Sequence, residues 1–170
     1  MSRARKAGPT SGPVLGIDPG SRKCGFGIVS PDGKYLASGT IVLPVSEPLP
    51  SRLRELYDEL TSVIEEFRPT LAAVEKVFFA HSAKSALTLG QTRGVALLAA
   101  SVGGLEVREY SATEVKKAVT GYGRAEKGQV QDMVKSILDL GGHALSPDGA
   151  DALAVAICHL STVRLEENVS

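Results

Sequence analysis

Residues 14–33 read Val14-Leu-Gly-Ile-Asp-Pro-Gly-Ser-Arg-Lys-Cys-Gly-Phe-Gly-Ile-Val-Ser-Pro-Asp-Gly33. The run Val14-Leu-Gly-Ile17 is apolar and stops at Asp18-Pro-Gly, which predicts a buried strand delivering Asp18 to its C-terminal end. Residues 25–29 and 34–42 predict two more strands, joined by the turn Ser30-Pro-Asp-Gly33. A loop with Pro44, Pro48 and Pro50 follows. Ser51 then caps a helix that sets Leu53, Leu56, Leu60, Val63, Ile64 and Phe67 on one face and stops before Pro69. Residues 71–74 form a short apolar strand ending at Glu75. The second half alternates: a helix over 83–101, a break at Gly103-Gly104 and a strand over 105–110. Ser111-Ala-Thr-Glu114 is a capping box opening a helix to 119, a further helix spans 126–138, and Ser146-Pro147 starts the last one. A three-strand meander followed by alternating strands and helices predicts an α/β domain: a mixed five-stranded sheet flanked by helices.

The chain has 170 residues, 43% of them hydrophobic and 22% charged, which suits one core and excludes a disordered chain. Residues 1–13 read as a disordered basic arm, 14–165 as the single domain and 166–170 as a tail. Cys24 and Cys158 form no disulfide framework and sit in apolar surroundings, which fits a reducing, cytoplasmic setting. Uncharged stretches reach no more than 12 residues, as at 94–105 and 152–163, short of a membrane span. The N-terminus lacks the apolar core of a signal peptide. Net charge is zero, yet residues 76–135 hold nine basic and five acidic side chains, and residues 136–170 hold one and five. Such a split can set a cationic surface beside a carboxylate cluster.

Four acids stand where structure alone gives them little purpose. Asp18 and Glu75 each end an apolar strand, and ligands of α/β sheets gather at the carboxyl ends of strands. Asp148 and Asp151, three apart in the first turn of the last helix, share a face. Asp18 also suits a turn, and Asp148 also suits the positive end of a helix. Asp151 lies among Ala150, Ala152, Leu153 and Val155, where a solvated acid is out of place. Crowded carboxylates repel and take up protons unless a cation sits among them. An all-oxygen set suits Mg²⁺ or Mn²⁺ better than zinc, and His81, His143 and His159 have no zinc spacing. Three or four such acids around two divalent ions can hydrolyse a phosphodiester. Gly25-Phe-Gly27 fails as a dinucleotide fingerprint, because the third glycine position is Ser30 and a turn follows instead of a helix.

Six motifs then follow in order: Gly16-Ile-Asp-Pro-Gly-Ser21 with Gly25-Phe-Gly-Ile28, Val74-Glu-Lys-Val-Phe-Phe79, Leu89-Gly-Gln-Thr-Arg-Gly94, Val115-Lys-Lys-Ala-Val119, Ala125-Glu-Lys127 and Asp148-Gly-Ala-Asp-Ala-Leu-Ala154. From about Val14 to His159 the chain resembles the RuvC family of bacterial Holliday-junction resolvases. The resemblance implies an RNase H-like fold and Mg²⁺-dependent cleavage of four-way DNA junctions during homologous recombination and DNA repair. It also implies a homodimer that works with the branch-migration proteins RuvA and RuvB. The family's catalytic, metal-holding acids map onto Asp18, Glu75, Asp148 and Asp151. Phe78 maps onto an aromatic set against unpaired bases, and Lys116 and Lys127 onto basic positions that meet the DNA backbone. Lys84, Lys117, Arg3, Arg5 and Lys6 match no position of the pattern. Gly16-Ile-Asp-Pro-Gly-Ser21 also resembles the phosphate loop of actin-like and sugar-kinase ATPases, but those enzymes need a second such domain. A junction-binding module without catalysis would lack some of the four acids. A shorter YqgF-type nuclease is disfavoured by the Phe78 segment and the Gly-Gln-Thr-Arg-Gly block.

Overall fold

The structure is a computed structural model that describes residues 11–76 and 81–169. Strands β1 (Val14–Pro19), β2 (Lys23–Val29) and β3 (Tyr35–Val42) form the meander. Helix α1 (Leu49–Phe67), strand β4 (Leu71–Glu75), helix α2 (Ala83–Val102) and strand β5 (Glu106–Tyr110) follow, then helices α3 (Ala112–Thr120), α4 (Lys127–Ile137) and α5 (Pro147–Val169). The sheet order is β3-β2-β1-β4-β5. β1, β2 and β3 pair antiparallel, while β4 runs parallel to both β1 and β5. This is the mixed five-stranded sheet that the element order predicts.

Period-two alternation splits the core into two layers. Leu15, Ile17, Ala72 and Val74 face α1 and α2, where Leu56, Leu60, Ala96 and Ala100 meet them. Val14, Leu71 and Ala73 face the other way, onto α5, with α3 and α4 outside it. Helix α5 is therefore covered on all sides. From Gly149 to Leu160 every residue is buried except Asp151. A helix apolar all round belongs inside a layered domain, and the lone acid in that run needs an explanation of its own.

Helix α1 starts two residues before the expected Ser51 cap: Pro48 occupies the cap position and its carbonyl accepts from the Arg52 amide at 3.2 Å. Pro50 makes this possible, since its φ is preset for a helix and its missing N–H has no partner to lose in a first turn. The expected capping box is present, with the Ser111 amide donating to Glu114 and the Glu114 amide to the Ser111 hydroxyl. Glu126 and Gln129 make a second one at α4. Residues 166–169, expected in a tail, continue α5 as helix. Nothing in Arg164-Leu-Glu-Glu-Asn168 breaks a helix, so it runs on past the last buried contact. The arm over residues 1–10 lies outside the described residues. Pro13, at the arm's expected end, accepts from the Thr70 amide at 2.9 Å. Cys24 and Cys158 are both buried, and burial pushes each thiol up to about 12.

Candidate active site

One residue from each strand, taken straight across the sheet, builds the site. Thr40 on β3 pairs with Gly25 on β2, and Gly25 pairs with Asp18 on β1. Ile17 pairs with Val74, so Asp18 and Glu75 stand at the next position of adjacent parallel strands. Glu75 pairs in turn with Tyr110 on β5. Residues opposite one another share a face, and this row faces α5.

Glycines let α5 lie directly on the sheet. A Cβ at Gly16 would overlap the carbonyl oxygen of Ala152, and one at Gly25 would overlap that of Asp148. At Gly27 it would stand 2.7 Å from Leu153. Glycine weakens a strand, and its usual justification there is close approach of another backbone. The Gly25-Phe-Gly27 pair, which fails as a nucleotide loop, has this structural purpose. Sequence spacing does not reveal it, because spacing does not say which helix lies on the strand.

Two polar contacts secure α5 at opposite ends of the row. At β3, Thr40 Oγ1 and Ser146 Oγ are hydrogen-bonded at 2.9 Å, and Ser146 Oγ accepts from the Gly149 amide at 3.1 Å, capping the helix. At β5, Tyr110 Oη and His159 Nδ1 meet at 2.7 Å in the core, which gives His159 a structural role. Between these ends Asp151 lies near both Asp18 and Glu75, whereas Asp148 lies near Asp18 and does not line the cleft that the other three share.

Asp18, Glu75 and Asp151 line a cleft of ≈ 370 Å³ with Lys116 and Lys127, walled by Val115 and Val130. A larger cleft of ≈ 580 Å³ between α1 and α2 has a single acid, Glu65, and brings no carboxylates together. The crowding has an electrostatic signature. Burial, then Glu75, Asp151 and Asp148, push the Asp18 carboxyl up to about 7, against a lowering by Lys127. Burial and Asp151 raise Glu75 as well, with Lys116 and Lys127 opposing. Lys127 Nζ lies 2.7 Å from Asp151 Oδ2, and that hydrogen bond raises the lysine's own pKa. The expected meeting of basic middle and acidic end thus occurs at Lys116 and Lys127.

The donors are all oxygen, which suits a hard divalent cation. Among the described residues, no three such side chains stand close enough to hold one ion as they are. The Lys127 ammonium occupies one oxygen of Asp151. The chemistry of the set fits a divalent cation: all its donors are carboxylate oxygens, neighbouring acids raise Asp18, and a bound cation would take the place of the Lys127 ammonium on Asp151.

Phe78 lies outside the described residues. Lys84, on the first turn of α2, and Lys117, on α3, are exposed and line neither cleft. Thr40, Ser146 and the three glycines are the site residues that sequence reasoning missed.

The comparisons agree with this architecture. A family model described as crossover junction endodeoxyribonuclease RuvC matches residues 14–159. The protein of that name from Shewanella amazonensis is 51% identical over 152 residues, 88% of this chain and 87% of its own. That from Bordetella avium is 49% identical over 160 residues, 92% and 88% of the two chains. The Thermus thermophilus RuvC structure is 33% identical and superposes with a TM-score of 0.83 over 91% of this chain and 96% of that one. A structure of T. thermophilus RuvC in complex with Holliday junction substrate gives 0.85 at the same identity and coverage. The yeast mitochondrial Holliday junction resolvase, at 16% identity, covers 91% and 82% of the two chains with a TM-score of 0.63 and shares the RNase H-like fold. The six ordered motifs, the sheet that unites them and these relatives lead to one conclusion: the chain belongs to the RuvC family of crossover junction endodeoxyribonucleases.

Proposed function

We propose that the chain resolves four-way (Holliday) DNA junctions by metal-dependent phosphodiester hydrolysis, in homologous recombination and DNA repair. The observation that carries this reading is the likeness, at a TM-score of 0.85, to T. thermophilus RuvC in complex with Holliday junction substrate. The cleft lined by Asp18, Glu75 and Asp151, with Asp148 near Asp18, supports it chemically.

In this reading Asp18, Glu75, Asp148 and Asp151 hold Mg²⁺, two ions to a site, with Mn²⁺ as a substitute. When bound, such ions activate the attacking water and stabilise the leaving oxygen. The chain's own contribution is placement. Asp18 and Glu75 are fixed by the sheet, and Asp148 and Asp151 by a helix held at its start through Ser146 and in its middle through His159. Lys116 and Lys127, at the rim of the cleft, meet the phosphate backbone, and Phe78 stacks on unpaired bases at the junction centre. As phosphate contacts the lysines add affinity without sequence preference.

The working unit is a homodimer. One chain has one set of acids and no internal repeat, whereas a four-way junction requires two cuts related by symmetry, and a two-fold dimer supplies two such sites. Helix α2 offers a face for it. Leu87, Gln91, Gly94, Leu98 and Val102 form an exposed stripe, and a Cβ at Gly94 would meet nothing within 4 Å. RuvA and RuvB are the partners that the family implies, and action on bacterial DNA implies the cytoplasm. No helix among the described residues is long and apolar enough to cross a membrane.

Mixed dimers test the paired cut. Wild-type chains combined with excess Asp18→Asn chains should convert a supercoiled cruciform plasmid to nicked circles, whereas wild-type dimers should give linear DNA. A nicked fraction that never rises, or full resolution by a demonstrated monomer, contradicts the dimer.

A further inference from the structure

We propose that Thr40 is a positioning residue for Asp148, holding that carboxylate in the orientation in which it serves the site. Asp148 has an unusual place among the four acids. Asp18 and Glu75 project from strands braced on both sides, and Asp151 lies in the buried part of α5. Asp148 sits in the first turn of α5, where backbone bonding is incomplete and helix ends fray. Such a position needs an external brace if its carboxylate is to keep one orientation.

Thr40 supplies that brace from a different element. Its Oγ1 lies 3.4 Å from Asp148 Oδ2 and 2.9 Å from Ser146 Oγ. One hydroxyl thus reaches both the helix cap and the acid two residues on. Gly25 is what permits this. It stands between Thr40 and Asp18 in the cross-strand row, and a side chain there would strike Asp148 itself. With the middle strand bare, a residue of β3 can reach across to the helix. The hydroxyl has a single proton: with Ser146 donating its own to Thr40 Oγ1, that proton is available to Asp148 Oδ2 and ties the carboxylate to β3. Thr40 touches neither substrate nor reacting atoms in this arrangement. It acts through Asp148.

The proposal rests on the reading of Asp148 as a metal ligand, and the experiment separates the two. Thr40→Val removes the hydroxyl at constant shape, and Thr40→Ser keeps the hydroxyl while removing the methyl. Calorimetric titration with Ca²⁺, without DNA, reads the site independently of cleavage, and melting in cation-free buffer reads the fold. Hydrogen bonds to charged groups are the stronger kind. At 3.4 Å the expected loss is nevertheless modest, about three- to tenfold weaker Ca²⁺ binding in Thr40→Val. The Mg²⁺ concentration for half-maximal junction cleavage should rise by a similar factor. Thr40→Ser should recover most of both. Wild-type Ca²⁺ affinity in a folded Thr40→Val chain, or a Thr40→Ser chain as impaired as Thr40→Val, overturns the proposal. Asp148→Asn is the control. If it loses Ca²⁺ binding while Thr40→Val does not, Thr40 alone is misassigned. If Asp148→Asn binds Ca²⁺ normally, the ligand reading of Asp148 fails first.

Discussion

In cation-free buffer at pH 8, Asp18→Asn should melt higher than the parent chain, while its junction cleavage falls at least about a thousandfold. The two effects share a cause. Folded Asp18 keeps its proton to about pH 7, whereas an unperturbed aspartate releases it near 3.8. Between those values the native state binds more protons than the unfolded chain, so stability falls as pH rises through this window. The penalty is absent below about pH 4 and complete above about pH 7. Each tenfold gain in proton affinity on folding is worth about 1.4 kcal/mol, so the ionised carboxylate costs the fold on the order of 4 kcal/mol. An asparagine carries no such charge. Its advantage should be largest at pH 8 and shrink toward pH 4. Added Mg²⁺ should reverse the ranking, since an ion bound only by the native parent chain stabilises it by mass action. A variant that melts lower than the parent at pH 8 without cation, or that still cleaves, contradicts this account of the cluster.

The second large effect belongs to Gly16. In Gly16→Ala the new methyl would overlap the Ala152 carbonyl oxygen, so one backbone must leave the other. Overpacking a core by a methylene costs about 1–3 kcal/mol when side chains can adjust. Here the obstacle is main chain, and a loss of about 3 kcal/mol or more is expected. The displaced element is α5, which bears Asp148 and Asp151, so cleavage per folded molecule should fall as well. Gly128→Ala is the matched comparison: it is exposed on α4 with nothing within 4 Å of the added carbon. It should melt at or slightly above the parent, because alanine is the better helix former. Equal melting of the two variants would remove the close-approach explanation.

Much of this site is legible in the sequence because its parts end elements. Asp18 and Glu75 each close an apolar run, and the spacing of Asp148 and Asp151 fixes their common face whatever the helix packs on. The layer order follows from the alternation of strands and helices. The tertiary complement is not legible in this way. That Thr40 reaches Asp148 depends on strand register between β2 and β3, and on a helix more than a hundred residues away in the chain. Gly25 and Gly27 read as a failed loop motif, since their partner is the distant helix α5. The Lys127–Asp151 pair likewise joins α4 to α5 across the cleft, and only the folded chain shows that a lysine read as a DNA contact also neutralises an acid. Boundaries differ where local chemistry is permissive: Pro50 lets α1 begin early, and the polar end of α5 continues where a tail is expected.

The most direct test of the central claim is cleavage by the purified chain with Mg²⁺, comparing a four-way junction with a linear duplex of the same sequence. The account predicts paired nicks at symmetry-related positions of the junction and an essentially intact duplex. Equal cutting of both substrates would contradict it.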